Sequence, residues 1–252
     1  MNATPKPFIQ PKPEYRRVER LALETLEECC AQLGLQEIPL PIPVERWIEH
    51  PLGIGFGVQD LTHLGERTLG AAFIKEREIL VSDRLDGNDG PFRFTCAHEL
   101  GHIILHKKVA VAFRDDQVGQ DAQADRYERQ ADRFAAAFLM PIDLLVRGLF
   151  AVARDQKLDE KRSLVELMLD TAESEWLWRY RFLPVLTKRF GVSLSAMLNR
   201  FSGLRLPDRE NFLPYYHKPA LLGVASSDCK AGAFKIVDGF PVRSDSPAVV
   251  GK

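Results

Sequence analysis

His98, Glu99, Leu100, Gly101 and His102 spell H-E-x-x-H, and this pentapeptide constrains the chain more than any other stretch. On a helix, positions four apart lie about 40° apart around the axis and roughly one turn along it, so both imidazoles point at one spot. Neutral imidazole nitrogens suit Zn2+, and two of them leave room for a third protein ligand and a water, the open coordination that catalytic zinc needs. Glu99, beside the first histidine, is placed to take a proton from that water. In a chain of 252 residues with 6 His, chance produces such a pentapeptide about one time in a hundred. Two surface histidines flanking an acid is therefore the lesser reading. Phe94, Ala97, Leu100, Ile104 and Leu105 give Phe92 to His106 an apolar stripe at helical spacing, which predicts a partly buried helix.

The third ligand must come from elsewhere. The extended form H-E-x-x-H-x-x-G-x-x-H is excluded, because Leu105 and Lys108 stand where Gly and His are required. A carboxylate on a second helix is the other common solution. In Asp121 to Met140, the residues Tyr127, Ala131, Phe134, Ala135, Phe138 and Leu139 form a helical apolar face, small enough in its alanines for close packing, and Pro141 stops the run. Glu128 borders that face, with Asp125 and Asp132 one turn either side, and periodicity does not choose among the three. His106 extends the four-residue repeat, but the outer two of three collinear positions lie roughly 12 Å apart and cannot share one ion. It is expected to hydrogen-bond within the helix layer instead. His50, His63 and His217 are isolated in sequence and are expected at the surface.

The segments Arg93 to His106 (RFTCAHELGHIILH) and Glu128 to Pro141 (ERQADRFAAAFLMP) resemble the paired signatures of the ImmA/IrrE family of zinc metallopeptidases, R-F-T-x-A-H-E-L-G-H-x-x-L-H and E-x-x-A-[ND]-x-F-A-A-x-L-L-M-P. The resemblance implies metal ligands at His98, His102 and Glu128, a catalytic base at Glu99, and at Asp132 a hydrogen bond to a ligand histidine. Phe138 stands at a usual Leu, a departure away from the site. The resemblance also implies zinc as the cofactor, with Mn2+ or Fe2+ compatible with the same donors. It implies a helix-turn-helix repressor as the protein substrate, cleaved to induce stress or mobile-element genes.

Outside these fifty residues the pattern loosens. Tyr15 to Gly34 reads as a helix, PLPIPVERWIEHPLGI as a proline-containing lead into a second short helix, and Gly70 to Ser82 as a β-hairpin around the charged Lys75 to Glu78. Such a strand could bind an extended peptide by strand addition, and an ordinary core hairpin is at least as strong a reading. Leu183 to Leu206 fits two short helices around the turn Phe190-Gly191-Val192-Ser193, with Ser193 an N-cap, like a helix-turn-helix. Lys188, Arg189, Arg200 and Arg205 could meet phosphates there, but the chain's formal net charge is −1 and Asp208 and Glu210 follow, so a packing role is the stronger expectation. Trp176, Trp178, Tyr180, Phe182 and Leu183 are dense enough in aromatics to be the packing surface.

Composition fits an enzyme with a full core: 45% hydrophobic and 27% charged residues. No run of about eighteen apolar residues and no signal-peptide pattern is present, and Cys29, Cys30, Cys96 and Cys229 lack C-x-x-C spacing, which together point to reduced thiols in a cytoplasm. Cys96 should pack away from the metal. The expected organisation is a Pro-rich arm (1–13), a zincin-like, gluzincin-type metallopeptidase domain of α+β class (14–145), a helical extension (146–219) with the helix-turn-helix-like segment 183–206, and a tail (220–252) with a strand at Ala233 to Val237. Two other classes remain open at this stage: a DNA-binding transcription regulator with a structural or vestigial zinc site, and an interaction protein of a toxin–antitoxin pair.

Overall fold

A computed structural model describes residues 9–107, 113–114, 122–207, 211–214, 217–223, 234–237 and 240–243. The first eight residues, Cys229, Asp208 and Glu210, and most of the tail, for which expectations are given above, lie outside the described residues. The chain divides into two compact units. One comprises Pro11–Ile142 and Thr187–Arg200, the other Met1–Gln10, Asp143–Leu186 and Phe201–Lys252. Both are mixed, with small sheets and several helices.

After a two-residue strand β1 (Gln10–Pro11), the first unit builds α1 (Arg16–Leu33), which buries Val18, Ala22, Leu26 and Cys29 on one face. Gly34 ends α1 in the left-handed region at φ 65°, where a glycine carries no Cβ penalty. The short α2 (Val44–Glu49) buries Val44, Trp47 and Ile48, and Trp47 meets Phe138 edge to face at 6.4 Å. Next come β2 (Gly55–Gln59), β3 (Gly70–Phe73) and β4 (Glu78–Ser82). The hairpin β3–β4 is antiparallel, with Gly70 opposite Val81. β2, absent from the sequence reading, runs parallel to β4 on its other side. Its Gly55 and Gly57 weaken the strand pattern. A two-residue strand β5 (Phe113–Arg114) pairs with the free side of β3, so the sheet order is β2-β4-β3-β5.

Two long helices hold the rest of this unit. The helix α3 (Asp89–Leu105) carries the H-E-x-x-H motif and buries the whole of Cys96 to Ile103. Its partner α4 (Ala122–Leu139) buries Ala131, Phe134, Ala135, Phe138 and Leu139 of the face read from periodicity, leaves Tyr127 half-buried, and ends two residues before Pro141. The two meet at Gly101. A Cβ added there would sit 3.2 Å from the Cα of Ala131 and 3.2 Å from the Cβ of Phe134, so this glycine sets how closely the helix backbones approach.

The helix-turn-helix-like segment forms as α8 (Leu183–Phe190) and α9 (Leu194–Ser202), with Gly191 at φ 63° between them. Ser193 Oγ accepts from the Ala196 N–H at 3.2 Å, an N-cap in the position read from sequence. The turn is packed rather than open. The Gly191 carbonyl accepts from Arg93 Nη1 at 3.4 Å, and a Cβ on Gly90 of α3 would meet the Ser193 nitrogen at 3.1 Å. Arg200 departs from its expectation as a phosphate contact. It is 2% exposed, its Nε donates to the Met140 carbonyl at 2.9 Å, and its guanidinium forks onto the Glu19 carboxylate.

The second unit contains α5 (Ile142–Asp155, its first residue in the other unit), α6 (Glu160–Glu166), α7 (Ala172–Leu177) and a π-helical turn over Trp178–Phe182. It also holds β6 (Leu204–Arg205), α10 (His217–Leu222) and the hairpin β7 (Phe234–Val237)–β8 (Phe240–Arg243). Its core is aromatic: Trp178 lies 4.8 Å from Phe201 and 6.1 Å from Phe212, and its Nε1 donates to the Leu167 carbonyl at 2.9 Å. Of the aromatic run, Trp178, Phe182 and Leu183 are buried and Tyr180 is exposed. No single helix among the described residues is long and apolar enough to cross a membrane.

The α3–α4 contact generates a prediction. Gly101→Val, which forces a branched side chain between the two backbones, should destabilise the protein by about 1–3 kcal/mol in urea unfolding. An unchanged midpoint would show that the helices are not held at this distance by the glycine.

Candidate metal centre

The α3–α4 packing brings His98, His102 and Glu128 together. His98 Nε2 lies 3.0 Å from His102 Nε2 and 3.1 Å from Glu128 Oε2, and His102 Nε2 lies 3.4 Å from Glu128 Oε1. A tetrahedral ion with bonds of about 2.0–2.2 Å sets ligand-to-ligand separations of about 3.3–3.6 Å. The observed triangle is therefore near the size such an ion requires, contracted by a few tenths of an ångström. Of the three carboxylates that periodicity left open, Glu128 is the one in this triangle. Asp132 instead holds the far side of His98, its Oδ1 3.0 Å from Nδ1. With a hydrogen on Nδ1 donated to Asp132, Nε2 is left to face the triangle.

The electrostatics follow from burial and these contacts. For His98, burial favours the neutral ring, but the hydrogen bonds to Asp132 and Glu128 outweigh it and hold the pKa well above the ordinary value. Burial dominates at His102, whose pKa falls to about 4 despite the Glu128 contact. At Glu128 burial works against ionisation, yet the contacts with His102 and His98 bring the carboxyl down to about 2. The two histidines are thus pushed in opposite directions, His98 up and His102 down, while Glu128 is held down.

Glu99 is 1% exposed and lies under the start of β3. A Cβ on Gly70 would fall 2.3 Å from Glu99 Oε1 and 2.7 Å from Thr95 Cγ2, so the carboxylate occupies the space that the missing side chain leaves. Sequence reasoning did not single out Gly70. Its only signal was a glycine opening a strand, where close approach of another group is one of few reasons for it.

His106 sits behind His102, Nδ1 to Nδ1 at 3.1 Å, and its Nε2 is 3.1 Å from Gln130 Oε1. Gln130 was also missed. It lines a cleft of about 690 Å3 beside α4, together with Asp132, Arg17, Arg126, Arg129 and Arg133. Cys96 is fully buried and its thiol pKa is raised, first by that burial and then by Glu45 and Glu99. His50 and His63 are exposed, as expected.

His217 corrects the sequence reading. It is 0% exposed, not a surface residue, with Nε2 3.0 Å from Ser174 Oγ and Nδ1 3.4 Å from Asp170 Oδ1. This is the bonding order of a Ser-His-Asp triad, but Ser174 is also 0% exposed, so no substrate reaches the hydroxyl. The set ties α10 to α7. An isolated histidine gives no periodic signal of such burial.

A buried His2Glu triangle on two packed helices defines a class of site, a donor set that could hold a metal ion. The family follows from comparison. The family profile described as the IrrE N-terminal-like domain, Peptidase_M78, matches residues 55–202, and the chain belongs to this ImmA/IrrE family. Among solved structures, a Mycobacterium tuberculosis transcriptional regulator is similar at 18% identity and a TM-score of 0.45, over 81% of this chain and 59% of that chain. The chain thus spans less than two thirds of that protein's length. No curated protein matches.

The raised His98 pKa means that a proton competes with a cation for its Nε2. Metal uptake should therefore release protons, and affinity should fall as the pH is lowered. Calorimetry in buffers of different ionisation enthalpy measures this. Uptake without proton release would contradict this competition.

Proposed function

We propose that the chain is a zinc-dependent metalloendopeptidase, with a zincin-like site in which His98, His102 and Glu128 hold the ion and Glu99 is the base. The observation that carries the reading is the ligand-sized triangle of donors beside a carboxylate lodged under β3. Intact Glu99 favours hydrolysis over a structural site, which needs no base. A bound ion supplies Lewis-acid activation of a water and of the scissile carbonyl. Glu99 takes the proton of the attacking water on its carboxylate and passes it to the leaving amine. Asp132 keeps the His98 ring oriented through Nδ1, and Gly70 keeps the space in which Glu99 works.

The family resemblance suggests the substrate class, a helix-turn-helix repressor, cleaved at an exposed segment to release stress or mobile-element genes. The described cysteines Cys29, Cys30 and Cys96 are free thiols, which supports a cytoplasmic setting. For DNA binding by α8–α9, the close approach of Ser193 to Gly90 and the engagement of Arg200 with Glu19 and Met140 favour packing instead. In a helix-turn-helix the N-terminal residues of the second helix meet bases, and here that end is against α3.

The test is incubation with helix-turn-helix repressors, starting with any encoded near this chain's gene, with new termini read by mass spectrometry. Glu99→Gln should slow cleavage about 10²–10⁴-fold and keep its metal, whereas His102→Ala and Glu128→Ala should lose both. Gly70→Ala, which displaces the Glu99 carboxylate, should behave like Glu99→Gln. Cleavage at wild-type rate by Glu99→Gln would sink the assignment of the base.

A further inference from the structure

We infer that Gln130, acting through His106, sets which nitrogen of His102 carries the hydrogen and so leaves Nε2 open to the metal. The inference rests on the metal-centre reading above and deepens it. His106 Nε2 lies 3.1 Å from Gln130 Oε1, and a carbonyl oxygen only accepts, so His106 carries its hydrogen on Nε2. A neutral imidazole has one N–H, which leaves a lone pair on His106 Nδ1. That lone pair lies 3.1 Å from His102 Nδ1. Two lone pairs do not face each other at this distance, so His102 donates from Nδ1. Its Nε2, 3.0 Å from His98 Nε2 and 3.4 Å from Glu128 Oε1, is then a bare donor aimed at the ion.

Reversing the Gln130 amide inverts every step. Its NH2 would donate to His106 Nε2, His106 would donate from Nδ1 to His102 Nδ1, and His102 would hold its hydrogen on Nε2, where it blocks coordination. One amide therefore decides whether the second histidine is a ligand. The two ligand histidines are served differently. His98 has a carboxylate at Nδ1, Asp132 at 3.0 Å, while His102 is reached through a neutral chain of two residues. His106 is 3% exposed and is held against the Tyr127 ring, centroids 4.6 Å apart, so the relay has a fixed ring at its middle. This gives the third histidine of the four-residue repeat a role without making it a ligand. Gln130 and His106 touch no reacting atom and are positioning residues.

Two substitutions separate this role from simple packing. Gln130→Glu keeps an oxygen acceptor and removes the donor, while Gln130→Met keeps the length and removes both. Zinc affinity is measured by competition with a chromophoric chelator, and histidine tautomers by long-range 1H–15N spectra of the zinc-loaded and zinc-free protein. Gln130→Met should bind zinc about tenfold or more weakly, and Gln130→Glu should bind at least as tightly as wild type. The spectra of the wild type should show hydrogen on Nε2 of His106 and on Nδ1 of His102. Equal zinc affinity in all three proteins, or His106 protonated on Nδ1, overturns the relay. A wild-type chain that takes up no zinc overturns instead the metal centre on which the relay depends, and the chelator competition reports this separately.

Discussion

The site exists because two helix backbones approach each other at Gly101. Five residues of motif on α3 can aim two imidazoles at a point, but they cannot supply the third donor or exclude water. The close contact of α3 with Ala131 and Phe134 puts Glu128, one turn earlier on α4, within 3.1 Å of His98 Nε2. The same contact brings Asp132 and Gln130 to the outer nitrogens of His98 and His106. A larger residue at position 101 would move all three together, because one rigid helix carries them.

The sheet contributes from the other side. The hairpin β3–β4 places Gly70 against Glu99, so a strand with no side chain at one position shapes the pocket that this carboxylate occupies. Helix α1 and the segment Thr187–Arg200 close the unit around this pair. Arg200 joins them by holding the Met140 carbonyl, near the end of α4, and the Glu19 carboxylate of α1. A buried arginine needs both partners, since leaving its charge unpaired would cost several kcal/mol, on the order of 3–5. The helix-turn-helix-like stretch thus has a packing task that its sequence pattern alone does not reveal.

Legibility tracked local periodicity. The helices around His98 and Glu128, the hairpin at Gly70 to Ser82 and the Ser193 cap were all readable, because each is a short-range pattern of apolar spacing or turn chemistry. The choice among Asp125, Glu128 and Asp132 was not readable from spacing, since all three border the same face, and it came from the family resemblance. What stayed hidden depends on contacts between distant segments. β2 has glycines where a strand would have branched residues, His217 is buried by Ser174 over forty residues away, and Gln130 is significant only once His106 stands opposite. Arg200 looked like a surface cation for the same reason.

The central claim is that His98, His102 and Glu128 together hold one metal ion. Metal content measured by mass spectrometry, on protein purified without a metal-affinity tag, tests it most directly. The account predicts about one zinc per chain in the wild type and its loss in Glu128→Ala. A wild type that stays metal-free after zinc is added at neutral pH, or a Glu128→Ala variant that keeps its zinc, would contradict it.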